Sequence, residues 1–597
     1  MTSDRNGTVL SSRRKFLGVT AGALAAGAGS VASNFPLQKS AQAQTAIDLP
    51  TKRTKRSKPN IVFIFTDQER YTSKWPAGLS LPAHERLQRT GVTMHNHYCP
   101  AVMCTSSRAV LLTGLQTADN RMFENCDVPW VKNLSTKIPT IGHMLRKAGY
   151  YTAYKGKWHL NRKFDSEDPD RLFTKEMDEY GFSDYFSPGD IIGHTLGGYQ
   201  FDPLIASSAI TWLRRNGRPL ADDDKPWALF VSLVNPHDIM YFNTDRPGQR
   251  VQDGGNLIKH AAQAPHHQLF KATWDTPLPD SIGESFGAPG RPKAHGEFLK
   301  IWDYVLGHIP PEEERWRRFH DYYINCIRSV DSQVDRMLQE LDALGLTDDT
   351  VICFTSDHGE AAGAHGLHGK GPFAYEETIH LPFYIVHPDV KGGQDCRALT
   401  GHIDVVPTLL SLAGVPPEKS GEIAGRKLPG KDFSKVLTNP GVADTHALHE
   451  AMLFTYSGIG ANDSTLWQVV SEARAAGKNP AAAILKKGFK PDMKKRGSLR
   501  SAFDGRYKFT RYFAPGERNR PTNMAELYQH NDVELFDLKT DPKEMKNLAT
   551  EKAVNAELIT TMSAKLEKAI KEEIGVDDGR EMPNIPLIQW TIDRVDL

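Results

Sequence analysis

Four short apolar runs, each closing on charged or amide side chains, constrain this chain more than any other feature. "NIVFIFTDQ" is apolar from Ile61 to Phe65 and ends on Asp67 and Gln68; "YTAYKGKWH" is β-prone through Tyr154 and ends on Lys157 and His159. "WALFVSLVNPHD" is apolar from Trp227 to Val234 and ends on His237 and Asp238; "VICFTSDHGE" is apolar from Val351 to Phe354 and ends on Asp357 and His358. Runs this short and this continuously apolar read as strands buried on both faces, the pattern of a parallel sheet covered by helices. Ligands of such sheets bind beyond the carboxyl ends of the strands, so the four polar endings point to one shared site.

Helical patterns at 82–89, 139–147 and 317–344 lie between or beside these runs. The alternation predicts an α/β fold: a large central, mostly parallel sheet sandwiched by helices. "DVVPTLLSLAG" at 404–414 reads as the helix that closes this domain. Beyond about residue 440 the periodicity changes: "GRYKFTRYF" and "VELFDL" read as strands, and "AVNAELITTMSAKLEKAIKEE" as an amphipathic helix. They predict a smaller C-terminal α+β subdomain with a short antiparallel sheet. The expected boundaries are 59–440 for the catalytic domain and 441–597 for the subdomain. Segment 241–313, rich in Pro, Gly and His, reads as an insertion over the site, either a lid or substrate wall or a passive surface excursion.

The 597 residues exceed one ordinary compact domain. Lys and Arg total 73 against 72 Asp and Glu, and no basic stripe interleaves with aromatics, so nucleic acid is not an expected partner. Six cysteines are too sparse for a disulfide framework. Residues 1–43 carry Arg13 and Arg14, Phe16 and Leu17, a Gly- and Ala-rich apolar stretch, and "AQAQ", which offers cleavage after Ala43. They resemble a twin-arginine signal peptide, which implies the Tat translocase as a partner and a periplasmic or secreted protein. Segment 44–58 reads as a basic linker.

"CTSSRAVLLTG", from Cys104 to Gly114, has two readings. Ser106 or Ser107 caps a short helix that Gly114 ends, with Cys104 a small buried residue beside the cap. Alternatively, residue 104 is a nucleophile held where helix amides and Arg108 bind an anion. Asp67, Gln68, Asp357 and His358 supply three oxygen-type groups and an imidazole, a set for one divalent cation such as calcium, with manganese or zinc also compatible. Arg108, Lys157, His159, His237 and Lys370 are cations or potential cations suited to a tetrahedral anion, and the imidazoles offer proton transfer. His365 and His368 in "HGLHGK" are spaced to bind a metal on their own, or pair by chance in a Gly-rich loop. A free thiol is a mediocre partner for sulfate or phosphate esters, so a different nucleophile at 104 makes better sense.

These motifs, in this order, resemble the type I sulfatases of the alkaline phosphatase superfamily. "CTSSR" looks like the signature Cys-x-Pro/Ala-x-Arg, with Ser106 at the Pro/Ala position, and "GYYTAYKGKWHL" is similar to the second signature. "NIVFIFTDQ" and "SDHGE" look like the two metal-binding strand ends, and "ELFDLKTDPKEMKNLA" resembles the closing Asp-Pro-x-Glu segment. The resemblance implies that a formylglycine-generating enzyme converts Cys104 to formylglycine, which hydrates to a gem-diol and attacks the sulfur of a small-molecule or carbohydrate sulfate ester. It implies that Arg108 and Lys157 orient the diol, His159 is the base for its breakdown, and His237 and Lys370 bind the sulfuryl oxygens and help the leaving group depart. The implied metal set is Asp67, Gln68, Asp357 and His358 together with residue 104. Gln and His in that set resemble choline-sulfatase and phosphonate monoester hydrolase relatives, so a phosphonate monoester or phosphodiester stays open as substrate. A non-catalytic anion-binding protein is the alternative from another class.

Overall fold

The structure is a computed structural model that describes residues 58–583, except 129, 165–171, 188–193, 256, 489–491 and 518–520. The signal segment 1–43 and nearly all of the 44–58 linker lie outside the described residues. The four apolar runs form the strands Asn60–Asp67, Tyr151–Gly156, Trp227–Pro236 and Thr350–Ser356. They are consecutive neighbours, all parallel, at the centre of an eight-stranded sheet. Its strand order is 394–396, 92–94, 383–386, 350–356, 60–67, 227–236, 151–156, 183–186, with 383–386 antiparallel to both neighbours.

Alternation along each strand divides the core. Ile61, Phe63 and Phe65 join Ala228 and Phe230 on one face, while Val62 and Ile64 join Leu229 and Val231 on the other. The first face is covered by helices Cys104–Thr113, Ile141–Lys147 and Val405–Leu412, and the second by Gly197–Trp212 and Glu313–Ala343. Burial of each such side chain contributes about 1.5–3 kcal/mol, so the polar residues at the strand ends rest on a rigid floor.

The C-terminal sheet orders strands Met452–Tyr456, Ser498–Phe503, Tyr507–Phe513 and Asp532–Asp537, all antiparallel. Helix Ala556–Glu573 covers it through Ile559, Met562, Leu566 and Ile570. The Thr455 N–H donates to Pro100 O at 2.8 Å, which ties this sheet to the segment leading into Cys104. Glu544 of the Asp-Pro-x-Glu segment and Glu376 share the buried Lys508 ammonium, at 2.9 and 2.7 Å.

Segment 241–313 contains a helix the sequence reading did not anticipate, Lys293–Leu306. Its buried Phe298, Ile301, Trp302 and Leu306 recur at helical spacing, but Pro292 and Gly307 bound it inside a Pro- and Gly-rich stretch that dominates a compositional reading. Phe298 and Trp302 pack on the loop that carries Lys370: a Cβ on Gly371 would meet Phe298 at 2.4 Å, and Trp302 lies 5.9 Å from His368. Among the described residues no helix is long and apolar enough to cross a membrane.

Candidate active site

Cys104 is the first residue of helix Cys104–Thr113, and this corrects the capping expectation. The N-cap is Met103, in an extended conformation with no side-chain cap bond, so neither Ser106 nor Ser107 caps. Both serines lie inside the helix and are buried. Ser107 Oγ donates to Asp357 O and stands 3.0 Å from His402 Nδ1; Ser106 Oγ has no hydrogen-bond partner among the described residues. Gly114 ends the helix in the left-handed region, φ 66°, as expected. Residue 104 therefore meets the positive end of the helix.

The four strand ends deliver their side chains to this point. Arg108, fully buried one turn along the helix, donates from Nε to Asp357 Oδ2 at 2.8 Å and from Nη2 to Asp67 Oδ2 at 2.9 Å. Its Nη1 donates to Lys157 O at 3.0 Å and Ser232 Oγ at 2.7 Å. Lys157 Nζ donates to Asp67 Oδ2 at 2.6 Å. With the Oδ2 atoms so engaged, the Oδ1 atoms of both carboxylates face Cys104 and His358. Asp67 Oδ1 lies 3.7 Å from Cys104 Sγ, and His358 Nε2 lies 3.6 Å from Asp67 Oδ1 and 3.5 Å from Asp357 Oδ1.

Donor atoms of Asp67, Cys104, Asp357 and His358 all lie within 4.8 Å of one another, and all four residues are buried. His358 Nδ1 donates to Gly359 O at 3.0 Å, which leaves Nε2 with its lone pair toward the cluster. The donor set fits a divalent cation. Gln68 stands beside it: its N–H donates to Asp357 Oδ1 at 3.1 Å, and its side-chain oxygen accepts from Lys370 Nζ at 2.6 Å. Among the described residues His365 and His368 join no cluster of metal-ligating groups. His365 pairs with Glu284 at 2.7 Å and stacks on Tyr375, His368 packs between Trp302 and Trp316, and neither belongs to the cluster.

Close approach and strain mark the site. Gly156, at φ 93°, precedes Lys157 where a Cβ would meet Ser232 O at 1.9 Å. Gln68 and His159 adopt left-handed backbones, φ 75° and 56°, a conformation that costs of order 1–3 kcal/mol and persists only when neighbours enforce it. Tyr323 Oη donates to Gln68 O at 2.8 Å and Thr105 Oγ1 to His159 O at 2.7 Å, holding both turns.

Electrostatics follow from these contacts. Burial alone would raise the Asp67 pKa, but the Lys157 ammonium and the Arg108 guanidinium outweigh it and hold the carboxylate well below its usual range. Burial opposes charge on Lys157, yet Asp67 keeps its pKa raised. His237 is buried near Lys157, which together push it well below the usual imidazole value, so it is neutral. Its ring meets Tyr241 edge-on at 5.7 Å, and its Nδ1 has no hydrogen-bond partner among the described residues. His159 is buried as well, but Asp127 and Cys104 outweigh burial and raise it. Asp127, 42% exposed and 3.5 Å from His159 Nε2, was not singled out by sequence reasoning, nor was Ser232. Both lie outside any motif ending, and only the fold brings them in.

Comparison with known proteins adds the ancestry of this arrangement. The family model described as Sulfatase matches residues 59–415. The chain is 27% identical over 390 residues to choline-sulfatase of Rhizobium meliloti, covering 61% of this chain and 69% of that one. It is 27% identical over 416 residues to N-acetylglucosamine-6-O-sulfatase of Bacteroides thetaiotaomicron, covering 63% and 71%. Among solved structures it is similar to a protein in complex with its substrate D-glucosamine-2-N,6-O-disulfate, with TM-score 0.59, 20% identity and coverage of 86% and 98%. It is also similar to the phosphonate monoester hydrolase of Agrobacterium radiobacter, with TM-score 0.59, 19% identity and coverage of 87% and 96%.

Proposed function

Because this chain belongs to the sulfatase family, within the alkaline phosphatase superfamily, and is a sulfuric ester hydrolase, we propose that it is exported by a twin-arginine signal and cleaves a carbohydrate or small-alcohol sulfate ester with residue 104 as formylglycine. The observation that carries the proposal is the convergence of buried Asp67, Asp357 and His358 on Cys104. Lys157 donates to Asp67, Cys104 helps to raise the pKa of His159, and Lys370 donates to Gln68 beside the cluster. Formylglycine would supply a hydrated aldehyde, one hydroxyl of which attacks sulfur while the other later permits sulfate release. A divalent cation held by Asp67, Gln68, Asp357, His358 and residue 104 would supply Lewis-acid polarisation of the ester oxygens.

The chain's own residues divide the remaining work. Arg108 and Lys157 fix the carboxylates and orient the side chain of residue 104. His159, whose pKa Asp127 and Cys104 raise, would exchange a proton with the side chain of residue 104. Neutral His237 and cationic Lys370 bind the sulfuryl oxygens on the leaving-group side. Support for a sugar ester comes from the resemblance to N-acetylglucosamine-6-O-sulfatase. Phosphonate hydrolysis on the same site is the second reading, favoured by one feature, Gln68 and His358 in the donor set.

The test is the specificity constant of protein co-produced with formylglycine-generating enzyme, on matched aryl sulfate and phosphonate monoesters, beside Cys104→Ala. The account expects sulfate to be preferred and Cys104→Ala to be inactive. Preference for the phosphonate selects the second reading, and activity in Cys104→Ala removes both.

A further inference from the structure

Glu360 closes the motif "SDHGE" but has no part in the chemistry above. Its carboxylate is fully buried. It accepts three hydrogen bonds: from Gln68 Nε2 on Oε2, and on Oε1 from the Ala362 N–H at 2.9 Å and the Gly369 N–H at 2.6 Å. Its own backbone is anchored, since the Glu360 N–H donates to Glu377 O at 2.8 Å and the Gly359 N–H to Thr378 O at 2.9 Å.

Two consequences follow from donor and acceptor chemistry. A carboxylate only accepts and an ammonium only donates, so a glutamine held between Glu360 and Lys370 has one orientation available: Nε2 to Glu360, oxygen to Lys370. Ala362 and Gly369 are the two sides of a loop neck, closed also by the Ala361 N–H donating to Gly369 O at 3.0 Å. Lys370 is the next residue. The same carboxylate thus sets the amide that Lys370 grips and the backbone from which Lys370 projects.

We infer that Glu360 is a positioning residue that fixes the Gln68 amide and the 362–369 loop neck in the register that directs Lys370 to the sulfate group. The inference rests on the proposed role of Lys370 in sulfate binding. Glu360→Gln is isosteric but brings an NH2 group into a pocket of donors. Whichever way it turns, it faces a backbone N–H or Gln68 Nε2, and a compensating flip of Gln68 would turn its NH2 toward the Lys370 ammonium.

The test is a double-mutant cycle in the full chain, Glu360→Gln with Lys370→Ala, read by kcat and KM on an aryl sulfate and by calorimetric binding of inorganic sulfate. With calcium at saturating concentration, Glu360→Gln is expected to lower kcat/KM at least tenfold and to weaken sulfate binding, yet to change either less than twofold further in the Lys370→Ala background. Equal losses in both backgrounds would overturn the inference, as would an unchanged kcat/KM in the single variant. If Glu360→Gln does not fold, Glu360→Asp keeps the charge while withdrawing it from Gln68, and the same cycle applies. Sulfate binding without turnover in the wild type would count against the proposed function alone, because the binding cycle still reads the positioning role.

Discussion

The Nε2 atom of His358 lies 3.1 Å from the Sγ of Cys104, across the same point that Asp67 and Asp357 face. Since Nδ1 is committed to Gly359 O, this nitrogen presents a lone pair. A thiol, an imidazole and two carboxylate oxygens converge there without any of them being another's sole partner, which is the organisation of a cation site.

His358→Ala should therefore weaken binding of calcium or manganese more than tenfold, measured by calorimetric titration of chelator-treated protein. Chelation should also abolish sulfate ester turnover and re-addition restore it. Unchanged affinity in the variant would remove His358 from the donor set.

Arg108 bridges Asp67 and Asp357 and has a single long side chain to do it. Arg108→Lys keeps the charge but cannot donate to both carboxylates, so one of them loses its buried guanidinium contact. Breaking a buried pair this way costs about 3–5 kcal/mol, which a urea unfolding curve would register, and kcat should fall by about two orders of magnitude.

A second buried network supplies a pH prediction. His84 contacts Glu69 at 2.7 Å and Asp331 at 2.6 Å. Burial disfavours its charge, but Glu69 and Asp331 outweigh that and raise its pKa from the usual 6.5 to about 10. A raised folded value means that the stabilisation is fully present below pH 6.5 and is lost as pH climbs through about 10. The difference in melting temperature between the wild type and His84→Asn should be largest near pH 6 and shrink toward pH 10. A difference independent of pH would contradict the assignment.

The export proposal is checked by replacing Arg13 and Arg14 with lysine in the native host and fractionating the cells. The protein should then remain in the cytoplasm. Normal export of that variant would exclude a twin-arginine route.

Much of the fold is legible in the sequence because three of the four central strands, 60–67, 227–236 and 350–356, are buried along their whole length, so their apolar runs are long and their ends abrupt. The contributions of Asp67, Lys157, His237 and Asp357 follow from that geometry. Short strands such as Val92–Met94 and Gln394–Cys396 carry too few residues to show a period. Asp127 reaches His159 and Glu360 reaches Gln68 across the fold, and no local pattern marks such contacts. The serines after Cys104 resemble a cap in sequence, yet an extended Met103 takes that place because the helix already begins at Cys104, ahead of both, and Ser107 donates to Asp357 O.

The central claim is that residue 104 acts as formylglycine, and the most direct measurement is peptide mass spectrometry of active protein from its native host. The tryptic peptide 90–108 contains both Cys99 and Cys104, so fragmentation must place the change. The sulfur of residue 104 is expected to be replaced by an aldehyde oxygen, with Cys99 intact. An unmodified thiol at Cys104 in protein that hydrolyses sulfate esters would contradict it.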